Sequence, residues 1–176
     1  MTFTLPSVSL VIGGAASGKT AYAETLALGT GRPCVYLATA EAHDDEMRDR
    51  IAAHRNGRGG RWTTLEEPLE VGRALATIGG DSAVLMDCAT LWLSNHMLAG
   101  SDLAEAEAGL MAGLALSAAP VIIVTNEVGH SVVPDTSLGR AFQTAQGRLN
   151  QKLAARADLV VQVTAGLPLA LKGTLP

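Results

Sequence analysis

Lys19 and Thr20 stand side by side behind Gly13-Gly14-Ala15-Ala16-Ser17-Gly18, and the run follows the apolar stretch Val8 to Ile12. This order fits G-x-x-x-x-G-K-[ST], in which glycines turn successive backbone N–H groups around phosphate oxygens at the start of a helix. Lys19 then reaches the β- and γ-phosphates. Thr20 offers its hydroxyl to a Mg²⁺ ion, and a helix beginning near Lys19 adds the positive end of its dipole. Asp87 closes a second apolar run, Ala83-Val84-Leu85-Met86. A carboxylate there serves Mg²⁺ or its waters in a phosphate-loop protein, the alternative being a strand-end cap.

A second group of residues lies between Asp44 and Arg61. Asp44, Asp45 and Glu46 put negative charge in a first helical turn, and Asn56-Gly57 ends the helix, which predicts a short helix over 44–55. Met47, Ile51 and His54 share one face of it, so His54 is either a partly buried packing residue or a functional one. Five of the chain's 13 basic residues fall between Arg48 and Arg61, where an even spread would place about one. Arg55 and Arg58 flank the helix exit and suit bidentate contacts to polyphosphate; the alternative is a solvated basic loop. An imidazole beside such a clamp is chemically able to act as a nucleophile on phosphorus or as a general base. Glu66 is either an acceptor for a base or ribose or part of an exposed acidic turn. His43, His96 and His130 have no partner at metal-ligand spacing, and Cys34 and Cys88 form no C-x-x-C pair, so no zinc site is assigned.

The elements that must position these groups follow from patterning. Val8 to Ile12, Cys34 to Ala38, Ala83 to Asp87, Val121 to Val124 and Leu159 to Val163 read as buried strands, separated by helical stretches. Continuous apolar strands alternating with helices predict an α/β fold, P-loop NTPase-like and RecA-like: a mainly parallel sheet with helices on both faces. Leu167 to Lys172, after Ala165-Gly166, is expected to pair back as an antiparallel hairpin at the C-terminal edge. The Gly13 loop, Ala38-Thr39-Ala40, Asp87 and Thr125-Asn126-Glu127 all follow strands, so they should gather at one edge of the sheet.

A length of 176 residues, 48% of them hydrophobic, suits one domain over residues 1–176 with a sizeable core. The net charge of -4 gives no reason to expect nucleic acid or an anionic membrane as partner. Both cysteines sit in or beside strand-like runs, which favours reduced core thiols and a cytoplasmic setting. The apolar stretch from Gly109 to Val124 is 16 residues long and contains Pro120, so neither a signal peptide nor a membrane span is expected.

Taken together, the motifs resemble those of the bifunctional adenosylcobinamide kinase and adenosylcobinamide-phosphate guanylyltransferase family of cobalamin biosynthesis. The resemblance runs through nearly the whole chain. It rests on the Gly13 to Thr20 loop, Tyr36-Leu37-Ala38-Thr39-Ala40, Asp44-Asp45-Glu46-Met47 leading to Ile51-x-x-His54-Arg55, and Trp62-x-Thr64-x-Glu66. Asp87-Cys88-x-Thr90, Thr125-Asn126-Glu127-Val128-Gly129 and Gly147-Arg148-x-Asn150-Gln151 complete it. It implies that ATP or GTP phosphorylates the aminopropanol hydroxyl of adenosylcobinamide, after which GTP donates GMP to that phosphate and pyrophosphate leaves. The resemblance also implies a GMP-histidine at His54 and phosphate binding by Gly13, Gly14, Ala15, Ala16, Ser17, Gly18, Lys19 and Thr20. By the same match Ala38, Thr39, Ala40, Arg55, Asn56, Gly57 and Arg58 line the GTP site, and Glu66 and Asp87 contact nucleotide or metal.

One departure is Ala16, where the family usually carries arginine; a member of the Arg48 to Arg61 group is the candidate substitute. Two other readings remain open at this level: an enzyme with only one of the two activities, and a GTP-binding switch without chemistry. A switch of the G-protein type would normally carry Asn-Lys-x-Asp, which does not occur. The resemblance implies a trimer, and Trp92, Leu93 and Met97 are either subunit contacts or core.

Overall fold

A computed structural model describes residues 2–40 and 60–176. Its elements run β1 (Val8–Gly13), α1 (Lys19–Gly29), β2 (Cys34–Ala38), β3 (Trp62–Glu66), α2 (Val71–Leu75), β4 (Ala83–Asp87), α3 (Ala89–Ala99), α4 (Leu103–Leu116), β5 (Val121–Asn126), α5 (Ser137–Arg156), β6 (Leu159–Thr164) and β7 (Leu167–Lys172). The seven strands form one sheet in the order β3-β2-β4-β5-β1-β6-β7. Every neighbouring pair is parallel except β6 and β7. The expected α/β architecture, including the antiparallel hairpin at the C-terminal edge, is therefore present.

Alternation along the strands divides the core between two faces. Leu10, Val84, Met86 and Ile123 pack with Trp92, Leu93, Leu110, Leu114, Leu149 and Leu153 of α3, α4 and α5. Val11, Leu85, Ile122 and Val124 point the other way, onto Ala23, Leu26 and Ala27 of α1. Each large aliphatic side chain buried this way contributes about 1.5–3 kcal/mol. Trp92 and Leu93 are 1% and 0% exposed, which resolves their two readings in favour of core.

Two close approaches depend on glycine. A methyl on Gly72 of α2 would overlap the Gly109 carbonyl of α4, and one on Gly113 would overlap the Gly72 backbone. These glycines let the two helices meet backbone to backbone. The β6–β7 turn has φ of 52° at Ala165 and 78° at Gly166, a pair of positive values that matches a tight hairpin of the kind anticipated.

Strand β3 is not among those that the apolar runs predict. Trp62-Thr63-Thr64-Leu65-Glu66 is an edge strand whose residues alternate between half-buried and exposed, so it presents no continuous apolar run. Strands β1, β5 and β6 also extend past their apolar runs through Gly13, Thr125-Asn126 and Thr164. Polar residues complete those ladders at the edge where the motifs gather. The helix expected over 44–55, and with it His54, Arg55, Asn56, Gly57 and Arg58, lies outside the described residues. No described helix is long and apolar enough to cross a membrane.

Candidate functional site

The carboxyl ends of β1, β5, β4, β2 and β3 bring Gly13, Asn126, Asp87, Ala38 and Glu66 to one edge of the sheet. At about 4.8 Å per strand, Asp87 stands roughly 10 Å from the Gly13 loop and Glu66 roughly 19 Å. An edge of this span suits an extended ligand with its phosphates at one end.

The loop after β1 is tightly wound. A Cβ on Gly13 would lie 2.5 Å from Ser17 Oγ and 2.6 Å from the Val163 carbonyl, so only glycine fits. Ala16 and Gly18 have φ of 54° and 90°. The Ser17 N–H and Lys19 Nζ both donate to the Gly14 carbonyl, at 3.3 and 3.0 Å. Gly166 N–H donates to the Ser17 carbonyl at 2.8 Å, so the β6–β7 turn braces the loop from outside. Gly18 caps α1 without a side-chain bond to the first turn, which leaves the helix-start N–H groups as donors for an anion. Gly14, Ala15 and Ala16 are exposed, while Lys19 and Thr20 are half-buried. Ser17 Oγ is buried without a hydrogen-bond partner. The loop thus presents helix-start N–H groups with a lysine folded across it, an arrangement suited to phosphate oxygens.

Asp87 is fixed by its neighbours. Tyr36 Oη donates to its Oδ2 at 2.7 Å. Thr39, fully buried, accepts from Cys88 N–H and donates to the Cys88 carbonyl, both at 2.8 Å. The Thr39 N–H donates to the Asp87 carbonyl at 3.2 Å, and Asn95 Nδ2 donates to the Thr39 carbonyl at 2.8 Å. The ends of β2 and β4 are thus clamped together around the peptide that follows Asp87. Burial, reinforced by the neighbouring Asp87 carboxylate, pushes the Cys88 thiol up to about 11. It is held neutral and is no nucleophile.

A buried polar cluster secures the end of β5. Thr125 Oγ1 donates to Asn150 Oδ1 at 2.7 Å, and Gln146 Nε2 donates to both, at 3.0 and 2.8 Å. Asn150 Nδ2 donates to the Asn126 carbonyl at 3.1 Å, and Asn126 N–H donates to Thr90 Oγ1 at 2.8 Å. One residue on, Glu127 N–H donates to the Gly13 carbonyl at 3.0 Å, joining this strand end to the phosphate loop. This largely buried network, in which Gln146 Oε1 alone has no partner, ties the end of β5 to α3 and α5.

The structure therefore gathers Gly13 to Thr20, Ala38, Thr39, Asp87 and Glu66 on one edge, with Glu66 exposed at its far end. Arg61, the described member of the basic group, lies elsewhere: its guanidinium donates to the Leu28 and Arg32 carbonyls, at 3.4 and 3.1 Å, beside the amino ends of β2 and β3. It is not the substitute for the arginine absent at Ala16. Sequence reasoning gave no role to Tyr36, Gln146 or Asn150; the spacing of Gln146 and Asn150, four apart on one helix face, was the available signal. Thr20 and Asp87 offer a hydroxyl and a carboxylate, hard oxygen donors whose chemistry fits Mg²⁺.

A family model described as "Cobinamide kinase / cobinamide phosphate guanyltransferase" matches residues 9–171. The bifunctional adenosylcobalamin biosynthesis protein CobP of Pseudomonas aeruginosa is 42% identical over 168 residues, covering 93% of this chain and 96% of that protein. The corresponding CobU of Salmonella typhimurium is 37% identical over 179 residues, covering 93% and 98%. Among solved structures, an ATPase from the type III secretion system of pathogenic bacteria superposes with a TM-score of 0.60 at 11% identity, covering 93% of this chain and 56% of that one. The RadB recombinase superposes at 0.54 and 19% identity, covering 89% and 74%. At such identities these two likenesses speak to the fold, which is that of P-loop NTPases.

Proposed function

The chain belongs to the cobinamide kinase / cobinamide phosphate guanyltransferase family, and from that premise we propose that it carries out two successive transfers on adenosylcobinamide. The observation that carries the reading is the phosphate cradle of Gly13 to Thr20 with Lys19 folded over it and Asp87 fixed two strands away.

In the first step the aminopropanol hydroxyl attacks the γ-phosphorus of ATP or GTP and a nucleoside diphosphate leaves. Phosphoryl transfer asks the protein chiefly for alignment and charge neutralisation. The helix-start amides and Lys19 supply both to the phosphate oxygens. Thr20 and Asp87 would hold Mg²⁺, which neutralises phosphate charge when bound. In the second step a ring nitrogen of His54 attacks the α-phosphorus of GTP, forming a P–N bond as pyrophosphate leaves. The phosphate of adenosylcobinamide phosphate then attacks the same phosphorus, releasing the imidazole and giving adenosylcobinamide-GDP. Arg55 and Arg58 are the candidates to neutralise the leaving pyrophosphate and to stand in for the guanidinium absent at Ala16. Asn56, Gly57, Ala38, Thr39, Ala40 and Glu66 complete the GTP site. The buried Thr39 hydroxyl acts there by shaping the β2 end.

A homotrimer in the cytoplasm is part of the same reading. Leu167, Leu169 and Leu171, all more than half exposed along edge strand β7, are apolar area available to a second copy. Incubation of the protein with adenosylcobinamide, Mg²⁺ and GTP labelled at the γ or the α position tests the two transfers. The expected result is γ-label in a corrinoid phosphate and α-label in a corrinoid-GDP. Nucleotide bound but no label in any corrinoid would overturn it.

A further inference from the structure

Phosphorylating an alcohol releases a proton, and a carboxylate within reach of the acceptor hydroxyl is the group suited to take it. The carboxylates on the described edge can be compared one by one. Asp87 accepts from Tyr36 and is the metal candidate. Glu67 accepts the N–H groups of Leu69 and Glu70, at 3.2 and 2.9 Å, and so caps the turn into α2. Glu66 ends β3, four strands from the phosphate loop. Glu127 directly follows β5, the strand between β1 and β4, and its N–H is bonded to Gly13. It therefore lies on the stretch of edge between the phosphate loop and Asp87, next to the loop that would hold the transferring phosphate.

Glu127 is also prepared for such work. It is half-buried, and its Oε1 accepts the Gly129 N–H at 2.7 Å, which fixes the side chain through one oxygen and leaves Oε2 to act. The Thr90, Thr125, Gln146 and Asn150 cluster fixes the backbone immediately before it. An anchored base needs little reorganisation at the moment of reaction.

We propose that Glu127 is the general base of the phosphoryl-transfer step, an inference that rests on the kinase reading above. Its Oε2 takes the hydroxyl proton while the alcohol oxygen forms a bond to the γ-phosphorus. The bond from that phosphorus to the β,γ-bridging oxygen breaks, and its electron pair leaves with the nucleoside diphosphate. The proton is then lost to solvent, so the step yields one phosphate monoester, one nucleoside diphosphate and one proton.

Glu127→Gln tests this, because the amide retains an oxygen for the Gly129 N–H. Removal of a general base costs about 10²–10⁴-fold. The variant is expected to lose about 100-fold or more in phosphorylation of adenosylcobinamide, with GTP affinity within about threefold of wild type, and Glu127→Asp is expected to recover part of the rate. Kinase activity within threefold of wild type in Glu127→Gln overturns the proposal, as does a parallel collapse of GTP affinity, which marks a structural role. A wild-type protein that binds GTP but does not phosphorylate adenosylcobinamide overturns the kinase reading itself. An active wild type beside an equally active variant overturns this inference alone.

Discussion

Thr39→Val removes a hydroxyl while keeping nearly the same shape, so it isolates the clamp between β2 and β4. In the native protein that hydroxyl accepts from Cys88 N–H and donates to the Cys88 carbonyl, both at 2.8 Å and out of contact with water. Valine leaves the buried Cys88 N–H without a partner, at a cost of about 1–3 kcal/mol, while the Cys88 carbonyl keeps the Trp92 N–H at 3.1 Å. With the lost bond to the carbonyl added and relaxation of the strand ends subtracted, a net loss of about 2 kcal/mol is expected. That is roughly a 30-fold change in the unfolding constant, and with a urea slope of about 2 kcal/mol/M it moves the midpoint by about 1 M. Urea unfolding followed by fluorescence of Trp62 and Trp92 measures it. Thr39→Ser, which keeps the hydroxyl, should lose only about 1 kcal/mol, the burial of one methyl. Because the bonded peptide follows Asp87, Mg²⁺-GTP affinity should fall with stability in the valine variant and hold in the serine variant. A valine variant within 0.5 kcal/mol of wild type, on the order of measurement error, would refute the clamp.

Other expectations follow from the same geometry. Lys19→Ala should slow phosphoryl transfer about 100-fold or more, measured with saturating nucleotide, because the proposed mechanism has Lys19 leave the Gly14 carbonyl to neutralise the transferring phosphate. Gly113→Ala should destabilise by about 1–3 kcal/mol through collision with the Gly72 backbone. Gly109→Ala, whose Cβ meets nothing within 4 Å, should stabilise α4 by up to about 1 kcal/mol; urea curves for the pair give both values. Native Cys88, pushed up from the ordinary 9.0 to about 11, should alkylate about 100-fold more slowly at pH 8 than an ordinary thiol, as followed by peptide mass spectrometry. A thiol raised in the folded state costs nothing below pH 9.0 and costs stability as pH climbs toward about 11. Wild type should therefore lose up to about 3 kcal/mol relative to Cys88→Ala across that interval.

Much of this edge was legible from residue types because parallel strands buried on both faces leave continuous apolar runs that end where ligands bind. Gly13 to Thr20 and Asp87 stood out for that reason. Trp62 to Glu66 did not, since an edge strand is half solvated and its polar members break the run. The resemblance implies a place for Thr39 in the GTP site, and what no local pattern encodes is the engagement of its side chain with Cys88, a pairing across 49 residues. The Thr125, Gln146 and Asn150 cluster is hidden in the same way, because its value lies in contacts between β5 and α5. Trp92 was ambiguous in sequence since an aromatic on a helix suits either a subunit contact or a core; burial between α3 and the sheet decides it.

Two kinds of phosphorus chemistry in one chain are the proposed function, and covalent labelling checks the second of them. The protein is incubated with Mg²⁺ and GTP carrying label at either the α or the γ position, then denatured, and bound label is tested for acid lability, with His54→Asn alongside. The expected result is acid-labile α-label alone on the wild type and none on the folded variant. A folded, GTP-binding wild type that takes up no α-label, or a His54→Asn variant labelled as well as wild type, would contradict it.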